Sequence, residues 1–299
     1  MRNGLSFYRG KSMLVDFHVH SNASDGTETP SKIVGMADGF TALAITDHDN
    51  CDGVDEFLST PGTVRRIVGV ELSIEPGDGF DKFHLLGLGV DFHNDHLKEF
   101  LRRILIGRNE RNQRILENFA AIGIEIDPEE ILRYAQGEVM ARPHFARWLI
   151  DHGYAKSTVD AFEKFLLADS PVATRCYQDR WRPTQEDAFA AVHAAGGLAV
   201  MAHPRYWKRE WKRIGCDFAV AEKGFAALKE MGLDGVESIY QANTPEENIA
   251  FTRLADKFGF LKTAGSDFHG ANKPQVTLGM NVPESFIAPV LERLSILSR

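Results

Sequence analysis

Short apolar runs in this chain end, one after another, in histidine and acid. The first is Asp16-Phe17-His18-Val19-His20, followed by a polar turn that carries Asp25. Side chains two residues apart on a strand share a face, so a strand here projects His18 and His20 together and turns Val19 away. Two adjacent imidazoles make a poor core and a good half of a metal site. The run over 41–46 leads into Asp47-His48-Asp49, and that over 64–72 closes on Glu71-Leu72. The run over 82–89 carries His84, that over 197–202 leads into His203, and that over 261–264 leads into Asp267-Phe268-His269.

Segments of helical character separate these runs. Pro30 opens one, with Thr29 as its N-cap, and others cover 51–58, 184–195, 218–231, 245–258 and 284–297. Strands alternating with helices argue for a parallel sheet. Seven or so such units point to an α/β fold closed as a distorted barrel, with an open doubly wound sheet as the alternative. In a parallel barrel the C-terminal strand ends gather on one face, so groups far apart in sequence meet there. From 94 to 179 the pattern is helical instead. Leu97, Leu101, Ile104 and Leu105 fall at helical spacing, a charged stretch covers 108–114, and further helices start at Asp127, Arg142 and Thr158. An insertion of about 85 residues is long for a connection and is expected to form a cap with its own small core. The expected division is a barrel over 12–93 and 180–299 with the inserted helical cap over 94–179.

Singly, each polar strand end has an ordinary structural explanation: a hydrogen-bonded histidine, a turn at Asp49-Asn50, a charge at a sheet edge. Together they are harder to dismiss. Six of the eleven histidines fall at these positions with three carboxylates, and structural histidines have no reason to collect at one end of a sheet. Imidazole and carboxylate without thiolate suit zinc, manganese or iron. Nine such groups are too many for one ion and fit two or three, with open positions for water and substrate.

The remaining features exclude more than they assign. A net charge of −8 argues against long duplex nucleic acid as a partner. Cys51, Cys176 and Cys216 form no CxxC and suit a reducing compartment. The basic N-terminus lacks the apolar stretch of a signal peptide, and no apolar run reaches the roughly 20 residues that span a bilayer. A cytoplasmic location is expected. The glycine patterns of dinucleotide and P-loop sites are absent, as is GxSxG.

The segments HVHSNASDGTETP, ITDHD, the Glu71 run, FHLLGLGVD, AHP and GSDFHG resemble, in order and spacing, the motifs of the polymerase-and-histidinol-phosphatase (PHP) family of metal-dependent phosphoesterases. The likeness extends from about residue 14 to 285 and is interrupted by the insertion. It implies a distorted (β/α)7, TIM-like barrel with three divalent ions, manganese foremost and iron or zinc as alternatives. His18, His20, Glu71 and Asp267 would hold the first ion and Asp25, His48 and His269 the second. Glu71 would bridge to a third, held with His84 and His203. A metal-bridging hydroxide held at Glu71 would attack phosphorus in line, with Asp16 and Asp47 orienting the histidines.

The cap and Ala141-Arg142-Pro143-His144-Phe145-Ala146 resemble the branch of the family that acts on small nucleotides. Its members remove the 3′-phosphate of nucleoside 3′,5′-bisphosphates, and some degrade short RNA from the 5′ end. Arg108, Asn109, Arg111, Asn112, Arg142 and His144 would then contact the substrate, with Arg142 and His144 as phosphate-binding or acid groups. A histidinol-phosphate-type phosphomonoesterase and a noncatalytic nucleotide-binding domain are the alternatives.

Overall fold

The computed structural model describes residues 11–75, 82–135, 140–207 and 218–297. The N-terminal leader up to residue 10 and Cys216 lie outside the described residues. The chain begins β1 (Ser12–Asp16), α1 (Pro30–Met36), β2 (Ala42–Ile45), α2 (Val54–Ser59), β3 (Arg65–Ile74) and β4 (Phe83–Leu88). A helical stretch follows: α3 (Asp95–Ala121), α4 (Pro128–Ala135), α5 (Arg142–Asp151) and α6 (Thr158–Ala161), which continues as a π turn over Phe162–Leu166. Next come α7 (Gln185–Ala194), β5 (Leu198–Met201), α8 (Phe218–Glu230), β6 (Gly235–Tyr240) and α9 (Pro245–Phe258). β7 (Leu261–Gly265), β8 (Met280–Pro283) and α10 (Glu284–Leu297) complete it.

Local chemistry sets several of these boundaries. Thr29 Oγ1 accepts from the N–H of Lys32 while Pro30 opens α1, a cap that contributes about 1 kcal/mol. Thr244 and Glu247 cap α9 reciprocally, and Gly259 ends that helix at φ +66°, a left-handed turn that glycine adopts without Cβ strain.

Eight strands form one sheet in the order β7-β6-β5-β4-β3-β2-β1-β8. The ring nearly closes between β1 and β7, where Phe17 N–H donates to Ala264 O at 3.0 Å and Asp267 N–H to His18 O at 2.9 Å. β8 pairs antiparallel with β1. Alternate residues face opposite layers, as Leu86 and Leu88 pack with Leu198 and Val200 in one cluster while Phe83 and Leu85 pack with Ala199 and Met201 in another. Both faces are covered, which is why the strands read as continuous apolar runs.

The expectation of a parallel sheet needs correction at β4 as well as at β8. β4 runs antiparallel to both β3 and β5. The connection from Ile74 to Phe83 is too short for the crossover that parallel strands require. The reversal explains the place of His84: the start of β4, not its end, lies at the mouth of the barrel. It also sends the chain to the far side of the barrel before α3 begins. At 27 residues, α3 is about 40 Å long. Its first half packs Leu97, Phe100 and Ile104 against the barrel layer. Its second half packs Ile115 and Phe119 with Phe145, Trp148, Phe165 and Cys176 in a separate hydrophobic cluster. No helix among the described residues is long and apolar enough to cross a membrane.

Candidate metal centre

All nine histidine and acid positions meet at the mouth. Glu71, 1% exposed and within β3, is the hub. Its Oε1 lies 2.9 Å from His84 Nδ1, 3.1 Å from His203 Nε2 and 3.2 Å from His18 Nε2. Its Oε2 lies 2.8 Å from His48 Nδ1 and 3.2 Å from His20 Nε2. Asp25 Oδ1 is 3.2 Å from His269 Nε2, and Asp267 Oδ1 is 3.5 Å from His20 Nε2. Ligand atoms within 4.8 Å of one another form four overlapping groups: His20-Asp25-His48-His269, His18-His20-Asp267, His18-Glu71-His203 and His48-Glu71-His84.

The donor chemistry fits cations in these gaps. His18 Nδ1 faces the Glu237 carboxylate at 3.0 Å, so a neutral His18 carries its proton there and turns a bare lone pair at Nε2 toward Glu71 and toward His20 Nε2, 3.1 Å away. His269 Nδ1 likewise meets the carbonyl of Asp267 at 2.9 Å, leaving its Nε2 lone pair against Asp25. Lone pairs facing carboxylates and one another repel unless positive charge lies between them. His20 Nδ1, Asp25 Oδ1, His48 Nδ1 and Glu71 Oε2 are buried without hydrogen-bond partners among the described residues, although His48 and Glu71 lie 2.8 Å apart. The electrostatics agree. Burial lowers the pKa of His18, but Glu237, Glu71 and Asp267 outweigh it and hold the ring well above the usual range. His48, opposed by burial and favoured by Glu71 and Asp25, rises to about 9. The pocket attracts positive charge.

The surrounding polar groups hold these ligands in place. Asp16 accepts from the N–H of His18 and from the N–H and Oγ of Ser266; burial pushes its carboxyl up to about 6 against those bonds. Asp47 accepts from the N–H and Oγ of Ser21 and from Ser24 Oγ. Both acids therefore act on the backbone that carries the histidines, and the acid that touches a ring is Glu237. Asp267 divides its oxygens: Oδ1 faces the histidines, while Oδ2 accepts from Tyr240 Oη at 2.9 Å and Lys273 Nζ at 2.6 Å. Asp49, His203 and Asp267 all have positive φ, at 57°, 26° and 60°, strain of the kind that persists where surrounding contacts over-determine a functional turn.

A cavity of about 740 Å³ opens over the centre, lined on one side by Asp25, His48, His84, His203 and Asp267. Five arginines line it as well: Arg108, Arg111, Arg142, Arg180 and Arg182. Arg108 Nε and Arg180 Nη2 both donate to Asp49 Oδ2, at 2.8 and 2.7 Å. Arg182 pairs with Asp179 and Glu75. Arg142 donates to Leu166 O at 3.1 Å and lies over the rings of Phe162 and Tyr177. Arg111 is 5% exposed, and its Nε and Nη2 have no hydrogen-bond partner among the described residues. Burial, then the charges of Arg108, Arg142, Arg180 and Arg182, pull its pKa well below the usual arginine range. A buried guanidinium among like charges is costly unless an anion joins it.

The expected substrate contacts divide. Arg108, Arg111 and Arg142 line the cavity. Asn109 is exposed, and Asn112 is buried and donates to Met140 O. His144 Nδ1 accepts from the N–H of Ala141 at 3.1 Å, which places the proton of the neutral ring on Nε2 as a donor. Arg180, Arg182, Tyr240, Lys273 and Glu237 were not singled out from the sequence. Arg180-Trp181-Arg182 stood at the boundary of the insertion, where a basic pair reads as a solvated linker. Asp49, read as a turn residue, is the shared acceptor of two cap-side arginines, and the turn is made by Asn50 Oδ1 accepting from Asp52 N–H.

Comparison with known proteins agrees with this geometry. A family model described as the PHP domain matches residues 16–139. The 5′-3′ exoribonuclease Rnm of Escherichia coli is 33% identical over 267 residues, 86% of each chain. A 3′,5′-nucleoside bisphosphate phosphatase of Chromobacterium violaceum is 32% identical over 262 residues, 85% of this chain and 87% of that one. A solved structure from Bifidobacterium adolescentis, provisionally described as a metal-dependent phosphoesterase, superposes with a TM-score of 0.75 at 28% identity, covering 93% of this chain and 96% of that one.

Proposed function

The chain belongs to the PHP family, a metal-dependent phosphoric ester hydrolase of nucleotide esters, and from that premise we propose its substrate and the division of labour in its site. The substrate is a small nucleotide with two phosphates. It is hydrolysed at the 3′-phosphate of a nucleoside 3′,5′-bisphosphate, and the same site acts on short RNA from the 5′ end. Three divalent ions, manganese foremost, are held by His18, His20, Glu71 and Asp267, by Asp25, His48 and His269, and by Glu71, His84 and His203. When bound, such ions supply Lewis acidity at phosphoryl oxygens and lower the pKa of a water molecule. The segment 94–179 is the cap, and the setting is the cytoplasm.

The observation that carries the substrate is Arg111, buried and without a hydrogen-bond partner among the described residues, in the same cavity as the ligand cluster. One cavity with two separate demands for negative charge suits a molecule carrying two. Arg111, with Arg108, Arg180 and Arg182 beside it, binds the phosphate that is not cleaved and so orients the other toward the centre. His144 Nε2–H and Arg142 supply donors at the cap side, and Lys273 and Tyr240 keep Asp267 turned inward. Histidinol phosphate carries an ammonium where this substrate carries its second phosphate, and the arginines repel it.

The test is phosphate release with manganese from a nucleoside 3′,5′-bisphosphate, the 3′- and 5′-monophosphates, histidinol phosphate and short RNA. The bisphosphate is expected to exceed the 3′-monophosphate in kcat/KM by about 100-fold, the equivalent of about 2.7 kcal/mol. Arg111→Met should remove most of that preference while leaving monophosphate turnover within about threefold. Equal rates on bisphosphate and histidinol phosphate would sink the proposal.

A further inference from the structure

Glu237 is fully buried in β6, and both of its carboxylate oxygens are engaged. Oε1 lies 3.0 Å from His18 Nδ1, and Oε2 accepts from the N–H of His203 at 2.6 Å. One side chain therefore grips two residues of the cluster from behind, His18 beyond β1 and His203 beyond β5. It holds the first by its ring and the second by a backbone bent to φ +26°. The surroundings are shaped for this reach. Between Glu237 and Ile239 the pairing of β6 with β7 slips by one residue, so Ser238 is the extra residue of a bulge. Across that slip stands Gly265, where a Cβ would lie 2.1 Å from Glu237 Oε1 and 2.4 Å from His18 Cβ. Any larger side chain there would occupy the space through which carboxylate and imidazole meet.

We propose that Glu237 is a positioning residue of the metal centre, fixing the His18 proton on Nδ1 and the His203 backbone turn so that both Nε2 lone pairs point at Glu71. A carboxylate can only accept, so it selects the His18 tautomer with Nδ1 protonated. Its negative charge also strengthens His18 as a donor to a cation, and losing such a partner ordinarily weakens metal affinity by about 10- to 100-fold. Asp16 and Asp47 do not duplicate this role, because their bonds go to backbone N–H and serine groups. Glutamine cannot replace Glu237, since its NH2 would face one of two donors.

The inference rests on the reading of the cluster as a metal centre, and its test separates the two. Manganese binding to the full chain is titrated calorimetrically for the parent and for Glu237→Gln, with the thermal midpoint recorded. The expected result is about 10- to 100-fold weaker binding in the variant, with kcat largely recovered at saturating manganese. Parent-like affinity in a folded Glu237→Gln overturns the inference alone, and a parent that binds no manganese overturns the reading beneath it. Should the variant not fold, 15N spectra of histidine-labelled parent protein loaded with zinc decide the matter. A His18 ring protonated on Nδ1 with zinc on Nε2 is expected, and the opposite tautomer refutes the inference.

Discussion

Glu71→Gln is expected to lower kcat/KM by about four orders of magnitude, the equivalent of about 5 kcal/mol, while the protein remains folded. The magnitude follows from the position of the carboxylate. Its two oxygens face five imidazoles within 3.2 Å, and two of the four ligand groups include it. Glutamine keeps the shape, removes the charge and directs an NH2 at histidine lone pairs that cannot be cations' partners and amide acceptors at once. Steady-state phosphate release, bound-metal content and far-ultraviolet circular dichroism together check the prediction. A variant with normal metal content and more than a tenth of parental activity would remove Glu71 from the centre of the scheme.

Asp49→Ala is expected to destabilise the protein by about 3–5 kcal/mol. Asp49 is 2% exposed and accepts from Arg108, Arg180 and the N–H of Ser73. Burial raises its pKa, but Arg108 and Arg180 outweigh burial and hold it well below the usual carboxylate range. Alanine leaves two buried guanidinium groups without this acceptor, next to Arg111, which has none among the described residues. Inorganic phosphate should therefore restore more stability to the variant than it adds to the parent, since an anion in the cavity substitutes for the lost carboxylate. Urea unfolding with and without phosphate measures both effects. An unchanged midpoint would mean that Asp49 does not hold the arginines.

The histidine and acid cluster was legible in the sequence because its members are fixed by short-range relations. His18 and His20 share a strand face, and the remaining ligands sit beside apolar runs whose boundaries composition betrays. The helical spacing over 108–112 also carried information that composition did not. Arg108, Arg111 and Asn112 fall at i, i+3 and i+4 on α3 and are buried together, whereas Asn109, one position on and about 100° round the helix, is exposed. What sequence could not supply was pairing across distance. Glu237 lies mid-strand between Val236 and Ser238, and its partners come from the approach of His18 past Gly265 and from the turn beyond β5. Arg180 and Asp49, 131 residues apart, meet because the chain leaves and re-enters the barrel between them. The direction of β4 was likewise hidden, since it depends on the connection between Ile74 and Phe83 being too short for a crossover helix.

The long helix α3 belongs to two cores at once, and this has a consequence for selectivity. The arginines and the histidine cluster are set apart by a rod anchored in the barrel wall. Under the proposed function, the spacing between the two charged ends of the ligand would be gauged as by a caliper whose jaws are fixed to one beam. Lengthening that beam by a single residue between Ile104 and Arg108 would swing the upper jaw by about 100° and advance it about 1.5 Å. Such an insertion would leave the lower jaw its histidines and acids and take away its sense of length.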